Sequence, residues 1–62
     1  MADQVVMRFT CAVIYEKEDR TQEEARYGVT AIAADIAAEI AEGEVKRSHP
    51  KANILYSEAI QL

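Results

Sequence analysis

The stretch Val5–Tyr15 (VVMRFTCAVIY) constrains this chain more than any other. It is rich in β-branched and aromatic residues and holds neither glycine nor proline, the composition of a strand. Side chains of a strand alternate between its two faces. Val5, Met7, Phe9, Cys11, Val13 and Tyr15 therefore share one wholly apolar face. Val6, Arg8, Thr10, Ala12 and Ile14 form the other, which is too apolar to be left simply to water and too polar for a sealed core. Such a strand needs a sheet beside it and a second layer over its apolar side.

Only 62 residues are available to supply both. That is a single domain, 1–62, and a chain of this size buries only about 60% of the surface it exposes when unfolded. Small folds usually make up the deficit with disulfides, a metal or a second subunit. Cys11 is the sole cysteine and His49 the sole histidine. No intrachain disulfide and no ligand set at metal-binding spacing can be drawn from these residues. No metal and no cofactor are expected, and a homo-oligomer, most simply a two-fold dimer, is.

Thr21-Gln22-Glu23-Glu24 matches a capping box, with Thr21 as N-cap. A helix is predicted from there to about Glu42, with Gly43 as the residue that ends it. At 100° steps, Ala25, Val29, Ile32, Ile36 and Ile40 form a bulky stripe suited to lie on the sheet. Tyr27, Ala31, Ala34, Ala38 and Ala41 form a second stripe on nearly the opposite side. Its three-four spacing admits a neighbouring helix, which makes these five the expected oligomer interface. Alanine at exposed positions is also simply a good helix former. Glu24, Asp35, Glu39 and Glu42 line an acidic edge between the stripes.

Glu44–Lys51 (EVKRSHPK) reads as a polar, basic connector, in which Pro50 disfavours a central strand and Glu44–Arg47 suits a short edge strand. Ala52–Leu62 (ANILYSEAIQL) has two readings. As a strand, Ile54, Tyr56, Ile60 and Leu62 share a face that Glu58 interrupts; as a helix capped by Ser48, Ile54, Leu55, Ala59 and Leu62 do. The β-branched and aromatic content favours the strand, although periodicity alone does not decide. The expected fold class is α+β in two layers: β-α-β, with room for one more strand, and one long helix on a two- or three-stranded sheet. The edges of so narrow a sheet are pairing sites for another chain.

Few residues suggest chemistry. Cys11 sits mid-strand on the apolar face, the place of a small buried hydrophobe rather than of a reactive thiol. His49, beside Pro50, has no nameable partner for acid–base work. Glu58 would have a raised pKa and could serve as an acid or base if buried on its strand's apolar face; a strand-end position, a salt bridge with Arg8 or Arg26, or the helical reading is the more ordinary account. No GxGxxG, Walker, HExxH or EF-hand pattern occurs, so catalysis is not expected.

The formal net charge of −4 disfavours generic nucleic-acid binding, which rests on counterion release by positive charge. Lys46, Arg47, His49 and Lys51 nevertheless gather beyond an acidic middle, and a weak nucleic-acid contact through them is one alternative function. Met1–Phe9 lacks the regions of a signal peptide. Phe9–Tyr15 is too short to span a bilayer, and an unpaired cysteine suits a reducing compartment. A cytoplasmic protein without a membrane partner or small-molecule substrate is expected.

In size, acidity and compact α+β layout the chain resembles the small host-takeover proteins encoded by bacteriophages, anti-CRISPR proteins among them. That resemblance implies a viral inhibitor or adaptor that occupies a surface of a larger protein. Its contact residues would be the acidic edge (Glu24, Asp35, Glu39, Glu42) or the basic segment (Lys46, Arg47, His49, Lys51). The other alternative is a structural unit whose sheet edges and alanine stripe are satisfied by copies of itself.

Overall fold

In the computed structural model, which describes residues 5–62, four elements follow one another: β1 (Met7–Glu16), β2 (Gln22–Ala31), α1 (Ala34–Ser48) and β3 (Asn53–Gln61). The sheet order is β2-β1-β3, and both pairings are antiparallel. α1 crosses one face and touches all three strands. The two-layer α+β arrangement with a single helix is the one expected. Its connectivity differs, because a second strand precedes the helix.

Thr21 therefore caps no helix. It lies in the loop of a β1–β2 hairpin, and Gln22–Ala31 is strand. Ala25, Tyr27, Val29 and Ala31 alternate with Glu24, Arg26, Gly28 and Thr30, and they pair with Val13, Cys11, Phe9 and Met7 of β1. This alternation puts every apolar member on the buried side. Tyr27, Gly28, Val29 and Thr30 are also weak helix formers. Non-local pairing thus outweighs the local capping box.

The hairpin loop is closed by the Lys17 N–H donating to the Thr21 carbonyl and the Arg20 N–H to the Lys17 carbonyl, both at 2.9 Å. Arg20 occupies the left-handed region at φ 71°. The Asp19 carboxylate accepts the Thr21 N–H at 3.0 Å.

α1 begins after Ala33, an extended residue whose side chain offers no cap. Its carbonyl accepts the Ala37 N–H at 3.0 Å. Gly43 lies within the helix instead of ending it, and Glu44–Arg47 is helical rather than an edge strand or connector. Asp35 in the first turn and Lys46 and Arg47 in the last complement the helix dipole. The end comes at His49, whose N–H reaches the Val45 carbonyl at 2.7 Å. Pro50, which cannot continue the helix hydrogen bonding, follows.

Ala37, Ala41 and Val45, four residues apart, face the sheet and are buried with Phe9, Cys11, Val13, Tyr15, Val29, Ala31 and Ala52. Of the bulky stripe expected on the sheet, only Ile36 packs from the helix against the core: Ile32 is 41% and Ile40 44% exposed, and Ala25 and Val29 belong to β2. The sheet supplies the bulk itself, through Phe9, Val13, Tyr15 and half-buried Tyr27. The small-residue helix face of Ala37 and Ala41 lies against that bulk.

β3 confirms the strand reading of Ala52–Leu62 but divides its face. The register passes from Ile14↔Tyr56 to Tyr15↔Ile54, which leaves Leu55 as the extra residue of a β-bulge. Ile54 consequently turns to the core side with Ser57, Ala59 and Gln61, which pair with the inward residues Val13, Cys11 and Phe9. Tyr56, Glu58 and Ile60 turn away from the helix.

Candidate functional site

A cleft of about 560 Å³ lies where the hairpin loop meets the end of α1, lined by residues 17–19 and 48–52. Its charges are already matched. Lys17 Nζ lies 2.9 Å from Glu23 Oε2 and Lys51 Nζ 3.4 Å from Glu18 Oε1. The hydrogen bond and charge of Lys17 hold the Glu23 carboxyl below its ordinary range, and Glu23 raises Lys17 in return. The Thr21 hydroxyl and N–H lower Asp19. The His49 ring stacks on Tyr15 with centroids 5.1 Å apart. Tyr15, nearly inaccessible, is pushed up by burial and then by the charge of Glu23. These contacts tie the hairpin to the end of the helix.

Cys11 is fully buried, and burial raises its thiol pKa. Glu58 does not lie on a core-facing side. The Leu55 bulge turns it outward and exposes it, and its carboxylate accepts the Tyr56 hydroxyl at 3.1 Å. Among the described residues no three histidine, cysteine or acidic side chains are grouped to hold a metal ion. No helix among them is long and apolar enough to cross a membrane.

The expected interface stripe is dispersed. Tyr27 and Ala31 are in β2, facing the core side, and Ala41 is buried under the helix. Only Ala34 and half-buried Ala38 keep helix surface. The acidic edge is broken too. Glu24 sits on β2, 3.4 Å from Arg26, and Glu42 accepts the Ser57 hydroxyl. Asp35 and Glu39 remain exposed on α1. Of the basic group, Lys46 donates to the Ala52 carbonyl at 2.7 Å and Arg47 approaches Glu44 at 3.6 Å. His49 and Lys51 are engaged as described above. Most of the charges read as partner contacts thus serve local structure.

β3 and the residue after it hold four exposed large apolar side chains: Leu55, Tyr56, Ile60 and Leu62 are 48%, 54%, 57% and 79% exposed, with Val5, Val6, Ile32 and Ile40 the others among the described residues. Tyr56, Ile60 and Leu62 lie on the helix-free face, beyond Ile14, Thr10 and Arg8 of β1. The strand's backbone orientation follows from one bond. Leu62 N–H donates to the Arg8 carbonyl at 2.9 Å, and hydrogen-bonded pairs alternate along an antiparallel ladder. Ile60, Glu58 and Tyr56 therefore bond inward to Thr10, Ala12 and Ile14. The N–H and C=O groups of Ser57, Ala59 and Gln61 point away from the sheet.

The two edges are unlike. β2 carries Glu23, Glu24 and Arg26, charges that discourage strand addition, whereas Asn53–Gln61 holds only Glu58. The scarcity of charge after Lys51 was visible in the sequence. That it falls on an edge was not.

No protein-family model matches this chain, and neither a curated protein nor a solved structure matches it.

Proposed function

We propose that this chain is a protein-binding module that acts by occupying another polypeptide through β3: backbone pairing along the edge, with Tyr56, Ile60 and Leu62 as the apolar anchors. The observation that carries this reading is the coincidence of four exposed large apolar side chains with an almost uncharged edge. Strand addition draws affinity from main-chain hydrogen bonds and specificity from alternate side chains, and it needs no catalytic group. The role fits an inhibitor or adaptor better than an enzyme, because the charges of the cleft beside the hairpin loop are paired within the chain.

The test is site-specific photo-crosslinking in cells expressing the protein, with the photoreactive residue placed at Leu55 or Ile60 and, separately, at Glu39 or Arg47. Protein adducts, to itself or to another chain, should form from the β3 positions and be lost when Tyr56 and Leu62 are both changed to lysine. Adducts formed only from the helix positions would move the binding surface to α1 and end the β3 assignment.

A further inference from the structure

The geometry points to a second copy of this chain as the occupant of β3, paired antiparallel about a two-fold axis at Ala59 to give a six-stranded sheet, β2-β1-β3-β3-β1-β2. This inference rests on the reading of β3 as the binding edge and names what binds there.

The register follows from charge and from the direction of the backbone groups. Ladder bonds across a new edge need outward-pointing residues opposite one another, and beyond the bulge these are Ser57, Ala59 and Gln61. An axis at Ala59 places Ala59 opposite Ala59 of the second copy and Ser57 opposite its Gln61. All three outward residues of both chains are then used. An axis at Glu58 would set two carboxylates face to face in a non-hydrogen-bonded pair, about 4.5 Å apart at Cα, where like charges destabilise. An axis at Ile60 would leave Ser57 without a partner within Tyr56–Leu62. The Ala59 axis also sets Tyr56 opposite Leu62 of the other copy on the helix-free face. It sets Glu58 opposite Ile60 of the other copy, so that the two Ile60 side chains become diagonal neighbours within reach of contact and the two Glu58 carboxylates move from directly opposite to the wider diagonal spacing. Three of the four most exposed apolar side chains of β3 gain apolar neighbours by this one operation.

The layer above permits it. An axis perpendicular to the sheet keeps both helices on the same face. β1 strands of the two copies would lie three strand spacings apart, about 14 Å. A helix centred over each, about 10–12 Å across with its side chains, clears its neighbour. Continuing the sheet removes both β3 edges and leaves only the charged β2 edges at the rims, the arrangement that protects a sheet from further addition.

Light scattering over a range of concentrations should show the mass doubling, with dissociation to monomer on dilution. Amide hydrogen exchange on the unaltered protein should show protection of Ser57, Ala59 and Gln61 growing with that doubling. Ala59→Pro should abolish the dimer while circular dichroism stays native, because the N–H it removes points away from β1. Chemical synthesis with N-methylalanine at position 59 removes the same donor with less backbone constraint. A monomer at every concentration overturns the inference, and crosslinks from β3 to a different protein would then leave the binding-module reading standing. A dimer in which those three amides exchange as fast as in the monomer overturns the assignment of β3 and of the Ala59 axis.

Discussion

Three backbone positions are occupied by residues that local physics does not favour, and two of them offer a test. Gly43 lies inside α1 with a helical backbone, and a Cβ built there meets nothing within 4 Å. Gly43→Ala should raise unfolding free energy by about 1 kcal/mol, read from a denaturant midpoint at unchanged slope. Ala33 holds the N-cap position without a side-chain acceptor. Ala33→Ser should add about 1 kcal/mol by accepting a first-turn N–H, and helical ellipticity should persist to higher temperature. Arg20 at φ 71° occupies the position that hairpin loops of this kind give to glycine. The Asp19–Thr21 bond and the Lys17–Glu23 pair beside it hold the loop closed regardless.

Elements, unlike residues, compete for partners, and this is where the chain was hardest to read. β1 was legible because both its faces and its lack of breakers agree. β3 was legible as a strand, but its faces were not, since one extra residue at Leu55 reverses the alternation and no local composition marks a bulge. β2 is hidden because Thr21–Glu24 carries a helix-start pattern, while the opposing signal lies across the hairpin loop, in the inward face of β1. Once Thr21–Ala31 is strand, the helix that remains must start at Ala34, and its buried face changes from isoleucine to alanine. That reversal is testable: Ala41→Leu should destabilise by about 1–3 kcal/mol through overpacking, whereas Ala34→Leu, on an exposed position, should stay within about 0.5 kcal/mol of the parent. Equal effects at the two positions would mean the helix is seated on another face. The candidate binding edge was legible only in part, because an uncharged stretch becomes an edge only through the sheet order.

For the whole molecule, the end of the sheet near His49 gathers four of the groups that shape the response to pH, with Cys11 and Tyr56 raised elsewhere. Asp19 and Glu23 titrate below their ordinary values, held down by Thr21 and Lys17 respectively. The stability they add is present above the unfolded carboxylate values near 4 and is lost as pH falls through the lower folded values. Lys17 and Tyr15 are raised, so their contribution is present below about pH 10 and is lost as pH rises through the folded values. A plateau across neutrality with a fall at each end is expected in thermal melts, and Glu23→Gln should flatten both limbs, since Glu23 contributes to each shift except that of Asp19. The central position of β1 has a consequence in time. β1 and β2 meet across a five-residue loop, but β3 reaches β1 only after the whole helix has been made. A nascent chain therefore carries a half-closed sheet with one vacant side for as long as Ser48–Gln61 is still being synthesised. In crowded translation, a neighbouring chain that has already made its last strand can lend it to that vacant side, with residues 48–52 as the hinge. The exchanged pair would hold the same ladder as the monomer and part only by unfolding.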